Sequence, residues 1–173
     1  GIHYKNTENF NFAYDVMDAI AAKKPDSPAL VWTNDEDDYI SISFGRMKEL
    51  SDAAASYYQS LGIGHGDFVM LILQRRYEFW ISMMALHKIG AVAIPATHLL
   101  TDKDIIYRCH MAGISCIVAC GDVNILGHVQ KARRFSPMLR NCVSIGPSVP
   151  NGWYDFARGM AEAEPFVRPE RNK

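Results

Sequence analysis

The sequence has 173 residues, of which 49% are hydrophobic and 21% are charged, a composition typical of one globular domain with a sizeable core. The formal net charge of −1 gives no overall field that would attract nucleic acid, so a nucleic-acid partner is not expected. No run of eighteen or more apolar residues occurs, so no membrane span is predicted.

The first segments predict a helix and then a β-hairpin. Asn11 is suited to cap a short amphipathic helix that ends near Lys24. Residues 29–33 and 39–43 are rich in β-formers and enclose the acidic run 34–38, so a hairpin is expected there. The acidic run lacks the glycine and distal glutamate of an EF-hand loop, which favours a solvated hairpin tip over a calcium site.

The next segments predict a helix, a turn and a buried strand. Apolar residues recur every three or four positions over 44–61, and Gly62 is placed to end that helix. Residues 68–73 are continuously apolar, as expected for an internal strand of a parallel sheet with both faces covered.

Residues 77–89 predict a helix that is apolar on almost every side and therefore needs partners on more than one face. Its aromatic and methionine residues would also suit the wall of an apolar ligand site, although this spacing favours core packing. These residues are Phe79, Trp80, Met83 and Met84. The short strand at 91–94 is expected to end at Pro95, which has no backbone N–H to donate.

The remaining segments continue the alternation of helix and strand. Thr101 is expected to cap a helix that ends at Gly113, and Asp122 is expected to cap the next one. Further elements are strands at 115–119 and 142–145 and a short helical piece at 153–160. The order predicts an α/β fold: a mostly parallel sheet flanked by helices, with an N-terminal β-hairpin.

Two patterns imitate functional sites. Gly62, Gly64 and Gly66 leave a helix and enter a strand, whereas a phosphate-binding glycine loop leaves a strand and opens a helix; a tight turn is therefore favoured. The four cysteines lack the paired close spacing of a structural zinc site, so buried thiols are favoured over a zinc site that uses His110.

Ligands of parallel sheets collect outside the carboxyl ends of the strands, which here selects the loops 74–76 and 96–100. Arg75 and Arg76 could contact a carboxylate or phosphate, but a surface salt bridge is the more common arrangement. His98 could move a proton near neutral pH, although the sequence places no nucleophile beside it.

Two longer strings carry a family resemblance. The stretch ISFGRMKELSDAAASYYQSLGIGHGDFVMLIL at 42–73 and LHKIGAVAIPAT at 86–97 resemble the N-terminal part of adenylate-forming, AMP-binding acyl-CoA synthetases. Within that family the strings FNFAYDVMD, DKDIIYR, IVACGD and NGWYDF look closest to the medium-chain group. The resemblance covers nearly the whole chain.

The resemblance implies an N-terminal subdomain over 1–164 and the start of a linker over 165–173. It implies an intact enzyme that joins a carboxylate to coenzyme A, using ATP and Mg²⁺ and passing through an acyl adenylate. In the family, the groups that hold phosphate, metal and ribose follow the present segment, and no position here matches them. We therefore expect no catalytic, cofactor-binding or metal-binding residue, no bound cofactor, no activity of this chain alone, and the remainder of the enzyme as its partner.

The loop at Thr97, His98 and Leu99 corresponds in the resemblance to a stretch beside the acyl pocket, which makes these residues candidate substrate neighbours. Leu99 stands where medium-chain relatives tend to have a polar residue, so the choice of acid is open.

Two other hypotheses remain at this point. The chain could be a stand-alone, non-catalytic binding module that forms a homodimer through uncovered apolar faces such as that of 77–89. A dinucleotide-binding domain is disfavoured by the misplaced glycines. The absence of a targeting segment at the start of the sequence predicts a cytoplasmic protein.

Overall fold

A computed structural model describes residues 10–33, 39–74 and 76–170. The first helix, α1, has a π-helical segment, Ala13–Asp18, continued by the α-helical Ala19–Lys23. The other elements are β1 Pro28–Thr33, β2 Tyr39–Ser43, α2 Phe44–Ser60, β3 Phe68–Ile72, α3 Tyr77–Lys88, β4 Val92–Pro95, α4 Asp102–Ala112, β5 Ile114–Cys120, α5 Val123–Arg134, β6 Asn141–Ile145, β7 Tyr154–Asp155 and α6 Phe156–Ala161.

Five strands form one parallel sheet in the order β4-β3-β5-β6-β7, and β1 and β2 form a separate antiparallel hairpin. The side chains of β3 alternate between two cores. Val69 and Leu71 pack with α2 and α3, whereas Met70 and Ile72 pack with α4 and α5. Helices thus cover both faces of the sheet, and the predicted α/β fold with an N-terminal hairpin is confirmed.

Local capping signals place the helix ends where the sequence predicts them. The Thr101 hydroxyl accepts from the backbone N–H of Asp104, whose carboxylate accepts from the backbone N–H of Thr101 in a capping box. Gly113 ends the same helix with a φ of 66°, a left-handed conformation that glycine adopts without a Cβ clash. Pro95 lies in β4, an edge strand of the sheet, where a missing donor is tolerated.

A buried lysine joins the first three helices. Lys88 Nζ, at the end of α3, donates to Asp18 Oδ1 of α1 at 3.0 Å and to Ser51 Oγ and Asp52 Oδ1 of α2 at 2.9 and 2.7 Å. Its side chain is 1% exposed. The ammonium has three N–H donors and all three are used, which allows a charge to be buried at this junction.

The prediction of one helical piece over 153–160 is wrong in part. Tyr154 and Asp155 form β7 beside Val143 and Ser144, and the helix begins only at Phe156. The cause is a parallel pairing that only the tertiary fold creates. The acidic run 34–38, a possible hairpin tip in the sequence, lies outside the described residues.

Residues 163–170 have no regular structure but contact the domain. Ser56 Oγ donates to the carbonyl of Glu164 at 2.6 Å, and the Arg168 guanidinium lies 3.9 Å from the centre of the Tyr14 ring. No helix of the described residues is long and apolar enough to cross a bilayer.

Candidate functional site

A cleft of about 400 Å³ opens at the carboxyl ends of β3 and β4, at the sheet edge that the sequence selects. It has an apolar side and a polar rim. The apolar side includes Leu71, Leu73 and Phe79, and the rim consists of Gln74, Thr97 and His98. An open cleft with an apolar side and a few polar groups at its rim offers contacts to a ligand that has an apolar body and one polar end.

The backbone holds the second loop of the cleft in place. The N–H of Ala96 donates to the carbonyl of Leu71 at 2.9 Å, which extends the β3–β4 pairing by one bond. The Thr97 hydroxyl accepts from the N–H of Leu99 at 3.3 Å, and Leu100 is buried in the core beneath α4. The short segment between these anchors therefore presents Thr97 and His98 at the rim.

Gln74 has an unusual backbone conformation at the mouth of the cleft. Its φ of 52° is the only positive φ of a non-glycine residue in the described part of the chain. A left-handed conformation costs a non-glycine residue about 1 kcal/mol or more, and such residues cluster at functional sites. The sequence selects this loop because it follows a strand, but no local signal marks the conformation of Gln74.

Arg76 is engaged within its own loop. Its Nη2 and Nε donate to the two carboxylate oxygens of Glu78 at 3.0 and 3.2 Å, and this bond raises the pKa of Arg76. Glu78 is buried at the start of α3, so the pair stabilises the helix start. The salt-bridge interpretation of Arg76 is therefore the one found, while Arg75 lies outside the described residues.

The three predicted substrate neighbours occupy different positions. Thr97 and His98 line the cleft, whereas Leu99 is 75% exposed and is not part of its lining. Within the residues that the structure describes, His98 makes no hydrogen bond or ion pair, so no nucleophile is placed beside it. His98 therefore lines the cleft without a hydrogen-bonded partner among the described residues.

The glycine turn at 62–66 is not arranged to hold phosphate. It connects α2 to β3, and two of its backbone N–H groups already have acceptors within the protein. Gly64 donates to Asp67 Oδ2 at 2.8 Å, and Gly66 donates to the carbonyl of Gly90 at 2.9 Å. A carboxylate at this position repels a phosphate. This turn therefore does not fit a nucleotide triphosphate.

The four cysteines are free, buried thiols. Burial raises the pKa of Cys116 and raises that of Cys142 to about 12, which keeps both neutral near pH 7. The ring of His110, the proposed partner in a zinc site, instead contacts the carbonyl of Phe135 at 2.9 Å. Among the residues that the structure describes, no cluster of three or more potential ligands could hold a metal ion.

The sequence matches a known family, AMP-binding enzyme, over residues 17–169. The chain belongs to the AMP-binding enzyme family. It is 36% identical over 162 residues to the mitochondrial acyl-coenzyme A synthetase ACSM4 of Rattus norvegicus and 31% identical over 168 residues to the mitochondrial ACSM1 of Homo sapiens. These alignments cover 90% and 94% of this chain. The predicted resemblance to acyl-CoA synthetases is confirmed.

Solved structures share the fold at low sequence identity. An acetoacetyl-CoA synthetase from Streptomyces lividans matches with a TM-score of 0.82 at 19% identity over 92% of this chain. An anthranilate CoA ligase, AuaEII, in complex with anthranoyl-AMP matches with a TM-score of 0.79 at 20% identity over 94% of this chain. The chain spans only 26% and 30% of these two proteins, and 28% and 29% of the two acyl-CoA synthetases.

The comparisons correct one expectation from the sequence. The cytoplasmic localisation is contradicted, because the matching synthetases of rat, mouse and human are mitochondrial proteins. That expectation depended on the absence of a targeting segment in the first residues. Because this chain spans 28% of the length of its rat relative, its first residues do not decide where the protein is located.

Proposed function

We propose that this chain is the N-terminal scaffold subdomain, over 1–164, of an AMP-forming acyl-CoA synthetase, and that 165–173 begin the connection to the rest of the enzyme. The intact enzyme would join a carboxylic acid to coenzyme A with ATP and Mg²⁺. The observation that carries the proposal is the cleft at the ends of β3 and β4, in a chain whose family match spans 17–169. Its apolar side would contact the hydrocarbon part of the acid.

The chain alone is proposed to be inactive. Two observations support this: the glycine turn faces the carboxylate of Asp67, which repels a phosphate, and the described residues contain no cluster of three or more potential metal ligands. Stabilising the charge of adenylate formation requires several such donors together. Thr97 and His98, which line the cleft, are proposed as neighbours of the substrate and not as catalytic residues, and Leu99 is proposed to lie beside the substrate only outside the cleft lining.

The test uses the full product of the gene, assayed for pyrophosphate release with straight-chain carboxylic acids. Thr97→Val and His98→Ala should raise the KM for the acid several-fold and leave the KM for ATP unchanged. The matched control is Val31→Ala, which changes a half-exposed strand residue of the hairpin and should leave both constants unchanged. Equal KM values for the acid in all three variants would contradict the role of this loop.

A further inference from the structure

The outer surface of α4 and the segment that follows α5 carry large exposed apolar side chains. Four of them are more than half exposed: Tyr107 at 65%, Met111 at 70%, Phe135 at 63% and Met138 at 61%. Scattered apolar residues are common on surfaces, but a group of large ones on one surface marks an interaction site. We call these four residues the apolar group.

Specific contacts bring the group together. Both helices run antiparallel to the strands, so their carboxyl ends lie at the amino edge of the sheet, opposite the cleft. His110 Nε2 lies 2.9 Å from the carbonyl of Phe135, and a Cβ at Gly113 would lie 3.4 Å from Met138 Cε. Tyr107 and Met111 are one turn apart on the exposed face of α4.

The segments that carry the apolar group have charged side chains of one sign over most of their length. Residues 105–121 and 123–154 contain no aspartate or glutamate. The nearest acid on the outer face of α4, Asp104, lies at the opposite end of the helix in the capping box with Thr101. The exposed cations of these two segments are Arg108, Lys131, Arg134 and Arg140. These two segments therefore carry an excess of cations in a chain whose overall net charge is −1, and Asp67 is the acid that precedes the neighbouring strand β3.

We propose that this surface docks onto an anionic lipid membrane. Aromatic and methionine side chains enter the boundary between headgroups and acyl chains, while arginine and lysine extend to the lipid phosphates. A second copy of this chain fits less well, because two such surfaces would bring like charges together. Docking at the amino edge of the sheet leaves the cleft at the carboxyl edge open. The proposal does not depend on the acyl-CoA synthetase activity.

The test is co-sedimentation of the full gene product with vesicles of phosphatidylcholine alone and of phosphatidylcholine mixed equally with phosphatidylglycerol. Binding is expected to the anionic vesicles and to weaken with added salt. Neutralising two cations in the variant Arg134→Gln/Arg140→Gln should lower the affinity about 25-fold, at about five-fold per charge. The control Lys23→Gln/Lys24→Gln changes the net charge equally on α1, and its affinity should match that of the wild type.

The variant Phe135→Ala separates insertion from simple charge attraction. It keeps every cation and should lower the affinity for anionic vesicles about ten-fold. Circular dichroism establishes that each variant is folded. No binding of the wild-type protein to anionic vesicles, an equal loss in the Lys23/Lys24 control, or an unchanged affinity of Phe135→Ala would overturn the proposal. Dimerisation that is lost in the same variants, measured by light scattering, would also overturn it.

Discussion

Replacing Lys88 by methionine tests how the buried ion cluster holds α1, α2 and α3 together. The change keeps most of the side-chain volume but removes the ammonium that donates to Asp18, Ser51 and Asp52. Breaking a buried ion pair from one side typically costs about 3–5 kcal/mol, because it leaves buried charge without compensation.

The structure places the cost near the lower end of that range. Asp52 also accepts from Lys48 Nζ at 2.6 Å and therefore keeps one cation, whereas Asp18 loses the only ion-pair partner found among the described residues. Both carboxylates retain some solvent contact, at 15% and 23% exposure. We expect Lys88→Met to lower the free energy of unfolding by about 3 kcal/mol.

The assay is urea denaturation followed by circular dichroism, in which the midpoint should fall at an unchanged m-value. Lys48→Met is the matched control. It breaks a pair whose lysine is 47% exposed and should cost about 0–1 kcal/mol. Adding Asp18→Asn to Lys88→Met should restore part of the loss. A cost for Lys88→Met no larger than that for Lys48→Met would refute this account of the cluster.

Three further predictions concern other parts of the fold. Gly159→Ala should cost about 1–3 kcal/mol in thermal denaturation, because its Cβ would overlap the buried ring of Tyr57; an unchanged melting temperature would contradict this packing. Thr101→Ala should lower the free energy of unfolding by about 1 kcal/mol, because it removes the N-cap of α4. Hydrogen bonds from Thr101 lower the pKa of Asp104. The difference in unfolding free energy between wild type and Thr101→Ala should therefore shrink as the pH falls and this carboxylate becomes protonated. Cys142 should not react with a thiol reagent at about pH 8 in the folded protein, since burial raises its pKa to about 12. Because the unfolded chain ionises this thiol first, the free energy of unfolding should fall progressively as the pH rises from 9.0 towards about 12.

The sequence predicts the elements whose signals are local. The capping residue and the terminal glycine of α4 lie within the helix ends that they fix, and the apolar run of β3 marks a strand with two covered faces. The loops after β3 and β4, which the sequence selects as candidate ligand contacts, lie at the edge of the sheet where the cleft opens, because parallel strands bring their carboxyl ends to one edge.

Other features depend on contacts between distant segments and were not predicted. Strand β7 has two residues and exists through its pairing with β6. The burial of Lys88 requires three helices to meet at one point, which no local pattern reveals. Likewise, the selection of Thr97 and His98 but not Leu99 for the cleft depends on the turn that Thr97 forms.

In the proposed function, this chain supplies a scaffold and one wall of a substrate pocket, while the groups that bind triphosphate and metal lie elsewhere in the enzyme. The most direct test is isothermal titration of the 173-residue chain with ATP and Mg²⁺, together with an assay of pyrophosphate release in the presence of carboxylic acids. The account predicts no measurable nucleotide binding and no pyrophosphate. Stoichiometric ATP binding or acid-dependent release of pyrophosphate by this chain would contradict it.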